Sequence, residues 1–140
     1  MRERLFRGKR VDNGKWVEGY LGVFKGIPQI FVPFTAEQEK ENEGHIFSAV
    51  GGIWYTVIPE TVGQYTELTV PSGKIFEHDI VTAKFKSNGA RFNFMVKYSG
   101  ENGCYVFDNG IVKVPRDHIR SVRIIGNIHD NPELLKEREG

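Results

Sequence analysis

Arg91-Phe92-Asn93-Phe94-Met95-Val96-Lys97-Tyr98 alternates with a period of two, placing Phe92, Phe94, Val96 and Tyr98 on one side and Arg91, Asn93, Met95 and Lys97 on the other. Successive side chains of an extended chain point to opposite faces, so the segment reads as a half-buried β-strand. Around it, Ile80 to Phe85, Cys104 to Phe107, Ile111 to Val114 and Ser121 to Ile125 read as further strands joined by short turns. That succession predicts an antiparallel meander, which a small barrel would close. The turn chemistry agrees. Asn-Gly occurs at Asn13-Gly14, Asn88-Gly89, Asn102-Gly103 and Asn109-Gly110, and the pair supplies the two positive-φ positions of a type I′ hairpin turn at little steric cost.

Working outward, the first third repeats the pattern less regularly, with candidate strands at Leu5 to Val11, Lys15 to Phe24 and Gln29 to Phe34, then Ile46 to Ala49 and Trp54 to Ile58. Turns are expected at Asp12-Asn13-Gly14 and Gly26-Ile27-Pro28. Sixteen glycines in 140 residues suit bulged, curled sheets better than flat ones. Helix is scarce. Asn131 fits an N-cap and Pro132 the first helical position, which predicts a helix over Pro132 to Arg138. Thr35 to Glu43 reads as a short helix or an acidic loop. The fold class is therefore mainly β with a short C-terminal helix. It forms one domain over residues 1–140, or two β-rich lobes at about 1–66 and 67–130 with a helical tail at 131–140.

Nineteen Lys and Arg against eighteen Asp and Glu leave a formal charge of +1, and 39% of residues are hydrophobic. This is the balance of a folded soluble domain, neither a polycation nor a disordered acidic tail. The balance is local rather than uniform. Residues 1–33 and 84–123 are basic, while 34–48 hold four glutamates and one lysine. Solvated strand faces guarded by Lys and Arg account for this; a polyanion-binding face at Arg91, Lys97, Arg116, Arg120 and Arg123 is the sharper alternative. No apolar run approaches the length of a membrane span, and the opening Met-Arg-Glu-Arg-Leu-Phe-Arg lacks a signal-peptide pattern, so a cytoplasmic protein without a membrane partner is expected.

Catalytic chemistry finds little to work with. His45, His78, His118 and His129 are far apart in sequence and lack the spacing that sets two imidazoles on one metal, so no metal and no cofactor are expected. His78-Asp79, Asp117-His118 and His129-Asp130 are neighbours, but adjacent strand residues face opposite ways, and solvated turn residues are the simpler reading. Cys104, the single cysteine, excludes an internal disulfide and reads as a small buried hydrophobe. Nucleophile elbow, phosphate loop and dinucleotide fingerprint are all missing. The protein is read as not an enzyme. Its aromatic load, 12% of residues, suits a β core, with any remainder available for contacts. If Trp16, Tyr20 and Phe24 lie opposite Val17, Leu21 and Val23, that strand is apolar on both sides and is buried twice or feeds a subunit interface.

Val62-Gly63-Gln64-Tyr65-Thr66, then Ser72-Gly73-Lys74-Ile75-Phe76-Glu77-His78-Asp79-Ile80-Val81, and finally Ile125-Gly126-Asn127-Ile128-His129-Asp130-Asn131-Pro132-Glu133-Leu134-Leu135 resemble the signature of the YopX family of phage and prophage proteins. Arg4-Leu5-Phe6-Arg7-Gly8 resembles its start. The resemblance implies a mainly β fold, a bacteriophage or prophage origin and no established activity, and it carries over no catalytic residue. The chain departs from the family pattern at Glu67 and at His78, where glycine is usual; His78 then needs left-handed backbone or a rearranged turn.

These readings lead to a phage-encoded binding and assembly protein that acts through protein–protein contacts and self-association, with a host or phage protein as a further partner. Nucleic acid is the alternative partner. Asp79 is expected to bond nearby backbone amides; the alternative is that Gln64, Tyr65, Glu77 and Asp79 line a binding groove.

Overall fold

The computed structural model describes residues 4–35 and 51–136. The expected strand at Ile46 to Ala49, nearly all of Thr35 to Glu43, and the end of the tail at Arg138 lie outside the described residues. The chain divides into two compact units, residues 1–64 and 65–140.

In the first unit, β1 (Phe6–Lys9), β2 (Trp16–Phe24), β3 (Ile27–Pro33) and β4 (Gly52–Thr56) form antiparallel pairs in the order β4-β3-β2-β1. The first residues of β5 (Gly63–Val70) pair with β1, Phe6 opposite Gln64 and Arg7 opposite Gly63. The β2–β3 turn is two residues long, with Phe24 opposite Ile27. Lys25 and Gly26 both take positive φ, 52° and 79°, which makes this a type I′ turn. The sequence reading put that turn later, at Gly26-Ile27-Pro28. Ile30 and Val57 are fully buried and Gly19 packs so close that a Cβ would lie 2.1 Å from the Phe31 carbonyl oxygen.

In the second unit, β7 (Asp79–Phe85), β8 (Arg91–Ser99), β9 (Cys104–Asp108) and β10 (Lys113–Val114) make the expected meander. β11 (Ile119–Asn127) returns to pair with β7, giving the order β10-β9-β8-β7-β11. The sheet stays open. A two-residue β10 at one edge offers too few groups to join the nine-residue β11 at the other, and the barrel expectation is corrected to two open antiparallel sheets. Residues Tyr65–Val70 of β5 and β6 (Gly73–Phe76) form a hairpin whose Val70 and Ile75 pack with Val81, Ala83, Phe94, Val96, Phe107, Ile119 and Val122. This is the alternation of Phe92 to Val96 turned into a core. Tyr98, at the strand's end, is exposed.

Three of the Asn-Gly pairs close hairpins or turns within this unit, and Asn13-Gly14 does so between β1 and β2, but none is type I′. Only the glycines take positive φ. Asn13 and Asn88 instead accept, through Oδ1, the backbone N–H two residues on, from Lys15 and Ala90, each at 2.9 Å. The side chain satisfies the turn that left-handed backbone would otherwise close. The C-terminal helix α1 (Glu133–Lys136) is short and packs on β8, where Asn93 Nδ2 donates to the Leu134 carbonyl at 3.0 Å. Asn131 is not its side-chain cap: Oδ1 turns back over Gly126 and accepts from the Asn127 N–H.

Candidate functional site

On the first unit's sheet, register places Trp16, Glu18, Tyr20, Gly22 and Phe24 of β2 on one face with Ile27, Gln29 and Phe31 of β3 and Trp54 of β4. Strand β2 is thus apolar on both sides, as the sequence allowed, but it is not buried twice. Tyr20 is 43% exposed, Trp54 51% and Phe24 64%. The Trp54 indole is seated by two contacts. It tilts onto Phe31 with centroids 5.0 Å apart, and its far edge lies over Gly22, where a Cβ would come within 2.8 Å of Cζ3. Gly22, Val23, Phe24, Gln29 and Trp54 line a shallow cavity of about 440 Å³. At the other end of the face Arg7 and Lys9 hold Trp16, the guanidinium 4.8 Å and the ammonium 5.6 Å from its ring. An aromatic, partly exposed sheet face with cations at one end offers contact area to an apolar or stacked partner.

The proposed basic residues divide. Lys97 is bonded to Asp108 at 2.7 Å. Burial opposes the Asp108 charge, but the Lys97 ammonium and the Gly110 N–H outweigh it and hold this carboxyl below its ordinary value. Arg116 donates to the Ile119 carbonyl and Arg91 to Thr82 Oγ1. Arg91 nonetheless stands opposite Lys84, and Lys84 opposite Arg120, so three cations form a row across β8, β7 and β11. Arg91 and Arg123 also line a cavity of about 460 Å³ with Pro71, Ser72, Ser121 and Val122.

The residues of the other candidate set fall in both units. Gln64 belongs to the first unit and Tyr65, Glu77 and Asp79 to the second. Tyr65 stacks on Phe76 at 5.6 Å and bonds Thr69 through its hydroxyl. Glu77 sits half-buried in the β6–β7 turn. Asp79 is buried and its Oδ2 accepts the Phe76 N–H at 2.8 Å, the amide bonding the sequence led one to expect.

Two expectations about reactive side chains are corrected. Cys104 is exposed rather than buried: it is the first residue of β9, opposite Ser99 at the end of β8. His78 and His129, 51 residues apart, are half-buried in mutual contact rather than solvated separately; Nε2 of His129 lies 3.3 Å from Nδ1 of His78. Sequence spacing could not find this pair, since antiparallel pairing of β7 with β11 is what joins the two turns. Among the described residues no group of three or more His, Cys, Asp or Glu is placed to hold a metal ion, and no helix is long and apolar enough to cross a membrane.

A family model described as "YopX protein" matches residues 5–136. The chain belongs to the YopX family. No curated protein and no solved structure matches it. The two positions at which the resemblance led one to expect glycine have a definite geometry. Glu67 and His78 keep the left-handed backbone that glycine would adopt there, at φ 71° and 73°. In this YopX chain the second position therefore carries an imidazole on a strained turn, at a cost of about 1–2 kcal/mol.

Proposed function

We propose that this YopX chain is a non-enzymatic binding and assembly protein, of bacteriophage or prophage origin and active in the host cytoplasm, that works through protein–protein contacts. Its aromatic sheet face associates with copies of itself and with a partner protein. The observation that carries this reading is Trp54, held in place by Phe31 and Gly22 yet half exposed, in one plane with Tyr20, Phe24 and Ile27. Large rings fixed in advance lose little freedom on association, which is why Trp and Tyr dominate binding energy at interfaces. Sedimentation equilibrium tests it. The wild-type chain is expected to self-associate with rising concentration, and the Phe24→Ser/Trp54→Ser double variant to stay monomeric with its thermal transition preserved. A wild-type chain that remains monomeric at high concentration removes the assembly part. Affinity capture from infected cells with and without nuclease then tests the partner.

The Arg91, Lys84 and Arg120 row favours a second reading. Like charges directly opposite each other destabilise a sheet, and a phosphate backbone laid across them would offset that cost. Binding to single-stranded or duplex nucleic acid would then fall steeply with salt, by about 0.9 in log K per log salt for each phosphate neutralised on a duplex. Absence of any retention at low salt ends this reading.

A further inference from the structure

We propose that His78 and His129 form a binding site for a divalent transition-metal ion of the Zn²⁺ class, with solvent completing the coordination. The distance is the first argument. Two imidazole nitrogens that each sit ~2.0–2.1 Å from a tetrahedral ion are about 3.3–3.4 Å apart. His129 Nε2 and His78 Nδ1 are 3.3 Å apart, on rings inclined at 83°. In the ion-free chain one facing nitrogen donates to the other; an ion that takes a lone pair from both displaces that proton, and each ring then carries its proton on the far nitrogen, His78 Nε2 and His129 Nδ1.

The two turns that bring the rings together are fixed by backbone bonds before any ion arrives. The His78 N–H donates to the Val96 carbonyl at 2.7 Å, and its own carbonyl accepts the Ile128 N–H at 2.9 Å. On the opposing turn, Asn127 Oδ1 accepts the N–H groups of His129 and Asp130, both at 3.0 Å. Asn131 Oδ1 closes that turn against Gly126. Little ordering is left to do on binding, which is the condition for a tight site with few ligands.

Backbone strain and charge point the same way. His78 holds φ 73°, where glycine would sit at ease; strain of this kind persists only where the surrounding structure fixes it, and it clusters at active sites and ligand clamps. Glu77 and Asp79 flank His78, Asp130 follows His129, and neither Lys nor Arg occurs in 75–83 or 124–135. These segments favour a cation. Imidazole ligands select Zn²⁺, Ni²⁺ or Cu²⁺ over the hard, oxygen-seeking Mg²⁺.

The test uses the untagged full chain, stripped with a chelator and titrated with ZnCl₂ at neutral pH while the imidazole NMR resonances and the thermal midpoint are followed. The His78 and His129 resonances are expected to move together to a one-to-one endpoint, the midpoint to rise with Zn²⁺, and Mg²⁺ to do neither. His129→Ala and His78→Gly should each weaken Zn²⁺ binding at least tenfold. His78→Gly is the decisive variant, because glycine accepts the left-handed backbone and the fold is kept. A wild-type chain indifferent to Zn²⁺ up to about 1 mM, the weakest affinity worth the name, overturns the proposal. So do variants that bind as tightly as the wild type, which would place the ion elsewhere.

Discussion

Replacing Gly22 by alanine tests the aromatic face without removing an aromatic. The added methyl would sit 2.8 and 3.0 Å from Cζ3 and Cη2 of Trp54, the far edge of a side chain that can rotate, so the indole must lift off β2. Trp54 is 51% exposed, so of the ~150–250 Å² an aromatic side chain can bury about half is covered. Losing half of that again costs roughly 1–1.5 kcal/mol at ~25 cal/mol per Å². Against this, alanine orders the unfolded chain less expensively than glycine by roughly 0.5–1 kcal/mol. The net change in stability is therefore within about 1 kcal/mol, while the binding surface is rearranged. The assay is a pair of measurements on a Trp16→Phe background: acrylamide quenching of Trp54 and sedimentation equilibrium. Quenching should rise and self-association fall, with the melting curve nearly unmoved. Gly19→Ala is the contrast, because its methyl would meet the Phe31 backbone carbonyl at 2.1 Å. That collision must separate β2 from β3 and is expected to cost ~3 kcal/mol or more. Unchanged quenching and unchanged association in Gly22→Ala would falsify the seating of Trp54 on β2 as the basis of the interface.

Asp79→Ala leaves the buried Phe76 N–H without its charged acceptor and should lower unfolding free energy by about 1.5–3 kcal/mol, read from the urea midpoint. If the midpoint holds while partner capture is lost, Asp79 serves a groove instead of the turn. Glu67→Gly releases a left-handed glutamate at φ 71° and should raise the melting temperature by a few degrees, about 1 kcal/mol; a drop would show that the side chain's contacts outweigh its strain. The folded Asp108 carboxyl titrates below its unfolded value, so its contribution to stability is present above the unfolded pKa and is lost as pH falls through the folded one. Lys97→Met should flatten the stability profile across that acid range by less than about 1 kcal/mol, as befits a partly exposed pair. An unchanged profile would mean that the pair adds nothing to the fold.

Much of the second unit was legible because its signals are local. Residues 91–98 alternate cleanly, and Asn-Gly pairs mark the ends of β7, β8 and β9, so the meander could be read without knowing its partners. The pairing of β11 with β7 was not legible. It depends on which long-range neighbour buries Ile80 and Val81, and nothing in a strand's own alternation names that neighbour. β5 was missed because Glu67 breaks its period at a bulge, between the Tyr65 and Thr69 pairings with β6. At the candidate site, sequence found that Trp16, Tyr20 and Phe24 could share a face. It did not find Trp54, whose place beside Gly22 follows from the β2–β3–β4 register. His78 was flagged by its backbone but not by its chemistry, since the partner ring comes from a turn 51 residues away.

The late return of β11 also sets the order in which a nascent chain can be completed. β7 through β10 are synthesised first, with local partners, while the other flank of β7 waits for residues 119–127. At ~5–20 residues per second, the interval from Phe85 to Asn127 lasts about two to eight seconds. Throughout it Ile80, Val81 and Ala83, all at 0% exposure in the finished protein, lie on a strand open to other chains. A ribosome-bound intermediate of this kind shows an unpaired strand flank and apolar surface, the features that make partly folded chains prone to aggregation, before any finished surface meets a partner.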